Sequence, residues 1–282
     1  MRLLRYGEAG KEKPGILDAD GKLRDLSGHL PDITGDALTP DGLKKLAGID
    51  AKSLPEVAGS PRLGCPIANI GKVICVGLNY SDHAAETGMA VPSEPIIFMK
   101  ATTAINGPND PVIIPKNSKK TDWEVELGIV IGKKAQYVDE ANSLDYVAGY
   151  VLVNDVSERE FQIERQGQWV KGKSADTFAP IGPWLVTKDE IADPQNLKMW
   201  LDVDGQRYQD GSTKTMVYGV KHLVSYISQF MTLMPGDVIP TGTPPGVGAG
   251  MKPPVFLKPG NVMRLGIEGL GEQRQDVKAY QG

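Results

Sequence analysis

Short apolar runs, separated by proline and glycine, follow one another from about residue 72 to the C-terminus. Runs of this length bounded by turn-forming residues are typical of β-strands. The predicted strands cover residues 73–76, 95–99, 111–114, 125–131, 146–153, 181–186, 198–203, 236–239 and 262–268. Few helices are expected. The best candidates run from 157 to about 165 and from 218 to about 231, and the second carries apolar residues at helical spacing.

Residues 1–70 have a different pattern. A turn at residues 18–22 separates two short apolar segments and predicts a hairpin. A short helix is expected to begin near Thr39 and to end at Gly48, before a proline-rich connection. We therefore predict a small N-terminal α/β unit over residues 1–70 and a mainly β (α+β) domain with a rolled or sandwiched core over residues 71–282.

Composition and charge exclude several classes of partner. The chain has 282 residues, of which 40% are hydrophobic, as in an ordinary globular core. Its formal net charge of -4, with acids and bases interspersed, provides no basic patch for nucleic acid and no polybasic segment for a membrane surface. No apolar run approaches the length of a bilayer span. We expect a cytoplasmic protein whose partner is a small molecule.

Two glycine-rich segments suggest anion binding to different degrees. Residues 167–174 satisfy the G-x-x-x-x-G-K-[ST] pattern of a phosphate-binding loop. That loop needs a buried strand before it and a helix after it, whereas a helical pattern precedes this segment and prolines soon follow, so no nucleotide site is expected. Residues 241–250, beginning with Thr241 and Gly242, lack a lysine. They are expected either to hold a substrate carboxylate through hydroxyl and amide groups or to form a flexible surface loop.

The strongest chemical signal is a pair of acids inside an apolar run. Glu124 and Glu126 are two positions apart, so both side chains leave the strand on one face, where like charges are destabilising unless a cation neutralises them. Asp155 follows another predicted buried strand. Three carboxylates without a neighbouring histidine or cysteine favour Mg²⁺ or Mn²⁺, with Ca²⁺ as a substitute. The alternative is a solvated pair of glutamates and an Asp155 that caps the helix predicted near Ser157.

A histidine and an acid offer acid–base chemistry. His83 and Glu86 are three positions apart and follow the predicted strand at 73–76. On a helix they would lie on one face, where the carboxylate orients the imidazole and raises its basicity, and such a pair activates water. A surface pair without function is the alternative interpretation.

Three further side chains extend this set. Lys173 lies in a glycine-rich segment from which it could reach inward to stabilise negative charge on a reacting oxygen. Arg159 and Gln162 follow Asp155 by four and seven positions on one predicted helix face, where they would bring hydrogen-bond donors near a cation. Taken singly, each is compatible with a solvated surface residue.

In their order along the chain, these elements resemble the fumarylacetoacetate hydrolase family. The resemblance rests on residues 77–80 with His83 and Glu86, 122–127, 154–157 with Arg159, 171–174 and 241–244. It extends from about residue 72 to the C-terminus, and the first unit is similar to the small N-terminal domain of bacterial members. The chain departs from the family's pattern at one position, since alanine follows Lys100 where many members have proline. The substrate-side wall near Lys100 is therefore expected to differ from that of those members.

The resemblance implies a fold, an assembly and a set of roles. The fold would be a mixed β-sandwich roll of the fumarylacetoacetase C-terminal type, in a homodimer, with Mg²⁺ or Mn²⁺ held by Glu124, Glu126 and Asp155. His83 and Glu86 would form a catalytic pair on a lid, with Lys173 at the reacting oxygen. The substrate-binding residues implied are Tyr80, Arg159, Gln162, Thr241 and Gly242.

The activity implied is hydrolytic cleavage of a carbon–carbon bond in a 2,4-dioxo acid, giving pyruvate and a carboxylic acid. The subgroup resembled is associated with 2,4-diketo-3-deoxy sugar acids from L-fucose or L-rhamnose breakdown. Stabilisation of an enolate would also serve an oxaloacetate-type decarboxylase, a 2-hydroxy-dienoate isomerase or a ureidoglycolate lyase. His83 and Glu86 favour hydrolysis, because decarboxylation has less need of an activated water. A non-catalytic binding dimer is disfavoured because every polar element is present.

Overall fold

The computed structural model describes residues 1–82 and 92–281, and this part of the chain is mainly β. The strands are β1 (Arg2–Tyr6), β2 (Lys13–Leu17), β3 (Leu23–Asp25), β4 (Leu63–Gly64), β5 (Val73–Gly77), β6 (Ile96–Lys100), β7 (Ile105–Asn106), β8 (Val112–Ile114), β9 (Thr121–Asp122), β10 (Val125–Ile131), β11 (Val147–Asn154), β12 (Ser157–Glu158), β13 (Ala179–Pro180), β14 (Leu185–Thr187), β15 (Lys198–Val203), β16 (Gln206–Ser212), β17 (Val238–Pro240), β18 (Val262–Ile267) and β19 (Gly271–Ala279).

Helices whose full length lies in the described part of the chain are short. They are the α-helices α1 (Pro40–Ala47), α2 (Val170–Lys173) and α3 (Val220–Ser228), with a π-helix at Glu160–Glu164. Single 3₁₀ segments lie at Gly35–Leu38, Ala51–Ser53, Thr102–Ala104, Glu140–Tyr146, Lys188–Glu190, Thr213–Thr215 and Gly248–Gly250. Within the described ranges, no helix has the length and apolar character that a bilayer crossing requires.

Two larger sheets build the molecule. One has the order β3-β2-β1-β14-β11-β10-β17-β5-β6, with β4 beside β1, and the other has the order β16-β15-β18-β19-β8. Most neighbours are antiparallel, but β17 with β5 and β19 with β8 are parallel, so both sheets are mixed. The predicted mainly β (α+β) class is therefore confirmed.

Strand β10 separates two apolar cores. Val125, Leu127 and Ile129 lie in a core shared with the second sheet, whereas Val130 lies in a core shared with N-terminal residues such as Leu3. This alternation is the two-residue period of a strand that is buried on both faces. Glu126 lies on the same face of β10 as Val130, and its carboxylate interrupts a row of otherwise apolar residues on that face.

The first 70 residues join the large sheet rather than forming a sheet of their own. Strand β1 pairs with β14 through Arg2 with Val186 and Leu3 with Leu185. The predicted hairpin is present as β2 and β3. Helix α1 begins where expected, because the Thr39 side chain accepts a hydrogen bond from the Gly42 amide. The boundary near residue 70 stays a prediction.

The helix predicted from residue 157 is wrong over its first turn. Ser157 and Glu158 form β12, which pairs with β9, and only then does the π-helix begin. The Glu158 carboxylate accepts hydrogen bonds from the amides of Lys120 and Phe161 at 2.8 Å each, so it ties the strand to the first turn of the π-helix. The Asp155 side chain contacts lysines rather than capping a helix.

The segment with the phosphate-loop pattern has a different geometry from that motif. Helix α2 lies inside residues 167–174 instead of after them, and the π-helix rather than a strand precedes it. The side chain of Lys173 is buried among carboxylates. The backbone of this segment therefore differs from that of a phosphate-binding loop, and the expectation that it is not a nucleotide site stays a prediction.

Candidate active site

Three acids meet where β10 and β11 run side by side. Glu124 precedes β10, Glu126 lies within it and Asp155 follows β11. Since Val125 pairs with Asn154, the neighbours Glu124 and Asp155 are adjacent, and the Asp155 amide donates to the Glu124 carbonyl oxygen at 2.9 Å. One carboxylate oxygen from each acid lies within 4.8 Å of the others. The three acids therefore gather at one place. Because all three are also buried, Glu124 and Glu126 do not line a solvated strand face.

Two buried lysines contact this triad. Lys173 Nζ lies 2.8 Å from Glu124 Oε2 and 2.9 Å from Asp155 Oδ2. Lys100, the last residue of β6, donates to Asp155 Oδ1 and, at 3.0 Å, to the carbonyl oxygen of Val156. The sequence indicated an inward role for Lys173. The sequence indicated Lys100 only as part of the substrate-side wall. A lysine at the end of an apolar strand could have predicted a buried charge at this position.

The electrostatics of the two glutamates differ. Burial raises the pKa of the Glu124 carboxyl, but Lys173 and Arg159 outweigh burial and lower the pKa to about 2. Burial raises the pKa of Glu126 well above its ordinary value, and the charges of Asp155 and Glu124 raise it further. Glu126 is therefore the acid of the triad whose charge is least compensated in the absence of a cation.

Arg159 connects the triad to the glycine-rich loop at residues 241–250. Its guanidinium lies 2.8 Å from Glu124 Oε1 and, through Nε, 2.8 Å from Asp122 Oδ2. It also donates to Gln162 Oε1 at 3.1 Å. Asp122 in turn accepts from the amides of Gly248 at 2.7 Å and Ala249 at 2.9 Å. Asp122 is a site residue that the sequence did not identify, because only its long-range contacts distinguish it from a turn residue.

Gly242 contacts the triad directly. Its amide donates to Glu126 Oε2 at 2.9 Å. The residue has a φ of 93°, and a Cβ at this position would lie 3.0 Å from the Asn79 Cβ, so the close approach favours glycine. The predicted anion-holding loop thus presents an amide, but this amide is bound to a protein carboxylate.

Two predicted substrate contacts lie deeper in the protein. Thr241 donates its hydroxyl to the carbonyl oxygen of Leu127 at 2.9 Å, and the Tyr80 hydroxyl donates to Met199 Sδ at 3.3 Å. Neither lines the cavity beside the triad. Their role in substrate binding stays a prediction.

A cavity of about 240 Å³ opens beside the acids. Its charged lining residues are Glu124, Glu126, Arg159 and Lys173. Phe98 and Trp169 form an aromatic wall, in which the two rings meet edge to face with centroids 5.3 Å apart. The ammonium group of Lys173 lies 4.9 Å from the centroid of the Phe98 ring, so charged and aromatic groups are in contact here. Trp169 packs against Gly77, where a Cβ would lie 2.4 Å from Cζ3.

The predicted acid–base pair, His83 and Glu86, lies outside the described residues, and its role stays a prediction. The other two histidines do not line the cavity. His222 contacts Glu140 Oε2 at 3.1 Å, and His29 is exposed. His83 therefore remains the only histidine of the chain that is still a candidate for this site.

The triad fits a hard divalent cation. Its ligand atoms are carboxylate oxygens, which Mg²⁺ and Mn²⁺ prefer, and their spacing allows all three to reach one ion. Glu126 accepts one hydrogen bond among the described residues, from Gly242, and is paired with none of the site's cationic side chains. A cation there would compensate the carboxylate that the protein leaves least compensated.

The sequence and the fold of the chain are both similar to those of known proteins. Residues 72–278 match the family described as "Fumarylacetoacetate (FAA) hydrolase C-terminal". A Burkholderia lata protein called a "putative hydrolase" is 64% identical over 279 residues, 99% of each chain. The fold is similar to that of a probable 2-hydroxyhepta-2,4-diene-1,7-dioate isomerase from Mycobacterium abscessus (TM-score 0.85, 33% identity, 100% of both chains). It is also similar to a maleylpyruvate hydrolase from Sphingobium sp. SYK-6, solved with manganese(II) ion and pyruvate (TM-score 0.83, 29% identity, 100% of both chains).

Proposed function

The chain belongs to the fumarylacetoacetate hydrolase family, and from this premise we propose that it hydrolyses a carbon–carbon bond of a 2,4-dioxo acid to give pyruvate and a carboxylic acid. One observation carries the proposal. A buried triad of carboxylates, two of which line a cavity, lies in a fold similar to that of a hydrolase solved with manganese(II) and pyruvate. A hydrolase or isomerase acting on acylpyruvate-like acids is the coarser statement that the relatives support.

Glu124, Glu126 and Asp155 would hold Mg²⁺ or Mn²⁺, with Ca²⁺ as a substitute. When bound, such an ion supplies Lewis-acid polarisation of the ketone beside the substrate carboxylate. Arg159 and Gln162 lie beside the triad and would orient that end of the substrate, and Gly242, whose amide holds Glu126, would contact it from the glycine-rich loop.

Lys173 would stabilise negative charge on the substrate oxygen. Burial alone would lower the pKa of Lys173, but the carboxylates of Asp155 and Glu124 outweigh it and raise the pKa, so the amine stays charged at neutral pH. A charged donor aimed at an oxygen is most effective in a buried site, where water does not screen it.

His83, oriented by Glu86, would take a proton from water as the water oxygen bonds to C4. The C3–C4 bond then breaks, its electron pair passes to the pyruvate half, and that half takes a proton. C4 leaves as the carboxylic acid. Tyr80 and Thr241 belong to this proposal as substrate-binding residues, with Thr241 near the substrate carboxylate.

The substrate we propose is a 2,4-diketo-3-deoxy sugar acid, and the enzyme would act as a homodimer in the cytoplasm. The support for this substrate is the resemblance of the ordered motifs to the subgroup associated with such acids. The support for a small acid of some kind is the size of the cavity and the charged side chains, Arg159 and Lys173 among them, that line it.

A second candidate is isomerisation of a 2-hydroxy-dienoate, because one close structural relative bears the name of such an isomerase. Isomerisation moves a proton between carbons and releases no pyruvate. The two candidates therefore differ in their products rather than in the binding of the substrate.

Paired variants test the proposal. Purified protein with Mn²⁺ is given synthetic 2,4-dioxo acids, and pyruvate is measured by coupling to lactate dehydrogenase. Glu124→Ala should lose both metal binding and pyruvate release, and His83→Ala should retain metal binding but lose release. Glu272→Ala, an exposed acid on β19, is the matched control. Full activity of His83→Ala would overturn the assignment of the base, and formation of an isomer without pyruvate would favour the second candidate.

A further inference from the structure

One carboxylate oxygen of each glutamate in the triad is engaged by a donor of the protein. Arg159 lies 2.8 Å from Oε1 of Glu124. The Gly242 amide donates to Oε2 of Glu126 at 2.9 Å. A cation is repelled from an oxygen that already faces a positive donor, and more strongly so in a buried site. Each glutamate therefore has its other oxygen to offer to an ion.

Lys173 contacts the inner oxygens of two of the three acids. Its ammonium group lies 2.8 Å from Oε2 of Glu124 and 2.9 Å from Oδ2 of Asp155. Arg159 and Lys100 lie at the other oxygen of these same two acids. One positive charge thus bridges a single oxygen of each acid, which shows where the two carboxylates converge on a cation.

Lys100 is fixed on the outer side of Asp155. Its side chain is buried, and it donates to Oδ1 of Asp155 and, at 3.0 Å, to the carbonyl oxygen of Val156. The next residue, Ala101, donates its amide to Ser174 Oγ at 2.9 Å, so the end of β6 is also tied to the end of helix α2. Because these contacts hold the lysine in place, Oδ1 stays engaged while Oδ2 faces the other acids.

We propose that Lys100 is a positioning residue that makes Asp155 a ligand through one oxygen, and that the triad therefore prefers Mg²⁺ or Mn²⁺ to Ca²⁺. Mg²⁺ and Mn²⁺ take roughly six oxygen ligands in an octahedral arrangement. The larger Ca²⁺ takes about six to eight, and it gains the additional ones from carboxylates that bind through both oxygens. This inference rests on the metal site of the proposed function and narrows its choice of ion.

Calorimetric titrations with Mn²⁺ and with Ca²⁺ test the proposal. The unmodified protein should bind Mn²⁺ at least about tenfold more tightly than Ca²⁺. Lys100→Met removes a positive charge, which should strengthen the binding of both ions. The ratio of the two Kd values removes this common effect and reports on ligation alone. In Lys100→Met the ratio should fall at least about fivefold, because Asp155 can then offer both oxygens to Ca²⁺.

Lys173→Met is the matched control. It removes the same charge from the same carboxylate, but at Oδ2 instead of Oδ1. Both ions should bind more tightly, and the ratio of their Kd values should change by less than about twofold. Infrared difference spectra, Ca²⁺-loaded minus metal-free, provide a second measurement. The separation of the two carboxylate stretching bands narrows when both oxygens bind an ion, so it should narrow in Lys100→Met and not in Lys173→Met.

The outcomes separate this inference from the proposed reaction. If the ions bind as expected but no 2,4-dioxo acid releases pyruvate, the reaction fails and the inference stands. The inference is overturned if the ratio is near one in the unmodified protein, or if Lys100→Met and Lys173→Met change it equally or not at all. If Lys100→Met does not fold, the ratio in the unmodified protein decides. If neither ion binds, both the metal site and the inference are wrong.

Discussion

The ammonium group of Lys173 lies 2.8 Å from Oε2 of Glu124, so the lysine expected at the reacting oxygen is hydrogen-bonded to an expected metal ligand. Both side chains are buried. Lys173 thus supplies a counter-charge for the triad in the absence of a divalent ion. Metal binding and the position of this lysine should therefore be linked.

Replacing Lys173 by methionine should destabilise the metal-free protein. Removing one partner of a buried ion pair leaves the other charge uncompensated, at a cost of about 3–5 kcal/mol. Urea unfolding measures this loss. Mn²⁺ should restore more stability to Lys173→Met than to the unmodified protein, because the ion replaces part of the missing charge.

Lys171→Met is the control for this experiment. Lys171 lies on the same short helix α2 but is exposed, and its ammonium group donates to the carbonyl oxygen of Arg165 rather than to a carboxylate. Its loss should change the free energy of unfolding by less than about 0.5 kcal/mol. Equal losses in the two variants would contradict the role of Lys173 as a counter-charge.

Asp122→Asn should loosen the glycine-rich loop. Asp122 accepts hydrogen bonds from the amides of Trp123, Gly248 and Ala249 and from Arg159. An asparagine turns one acceptor into a donor that faces other donors, which should cost about 2–4 kcal/mol. Hydrogen exchange should become faster in residues 246–250, and Asp276→Asn on the surface should leave it unchanged. Unchanged protection in Asp122→Asn would show that the loop is held by other contacts.

The metal-free protein should lose stability as pH rises. Burial and the charges of Asp155 and Glu124 raise the pKa of Glu126 above its ordinary value of 4.5. The folded state then holds a proton that the unfolded state releases, so stability present at low pH is lost as pH rises from 4.5 through the folded pKa. Thermal melts across this range should show the decline, and Glu126→Gln should flatten it. A decline of equal slope in Glu126→Gln would assign the effect to another group.

Metal binding should release a proton within the same pH window. Mn²⁺ requires the ionised form of Glu126, so roughly one proton should leave for each ion bound. Glu124 should contribute none, because its pKa is lowered to about 2. Calorimetry in two buffers with different ionisation enthalpies measures this number. Equal heats in both buffers would contradict the assignment of Glu126 as the protonated acid.

Gly77→Ala should displace the aromatic wall. The new Cβ would lie 2.4 Å from Trp169 Cζ3, so the indole ring must shift. Tryptophan fluorescence should change, and KM should rise several-fold with a smaller change in kcat, because Trp169 lines the cavity but has no part in the proposed reaction steps. Gly28→Ala, at a position with no atom within 4 Å, is the control. An unchanged KM in Gly77→Ala would exclude Trp169 from substrate binding.

Local patterns predicted the acidic triad but not its counter-charges. Strand β10 has the predicted bounds, and the two-residue period placed Glu124 and Glu126 together. Lys100 and Asp122 acquire their roles through contacts with residues 55 and 126 positions away, which no local pattern encodes. Side chains of this kind are visible only after the strands have been paired.

The same distinction applies to the fold. Apolar runs and turn residues predicted most of the strands, but not that β1 would pair with β14, across more than 180 residues. Local propensity also favoured a helix at Ser157, where pairing with Asp122 produces a strand instead. Long-range pairing prevailed over local preference at both positions.

The most direct test of the central claim is a count of products. The protein is incubated with a 2,4-dioxo acid in the presence of Mn²⁺ or of a chelator, and the pyruvate formed is compared with the substrate consumed. We predict one pyruvate for each substrate molecule consumed with Mn²⁺, and none with the chelator or in Glu126→Gln. Consumption without pyruvate, or pyruvate release that the chelator does not reduce, would contradict a metal-dependent hydrolase.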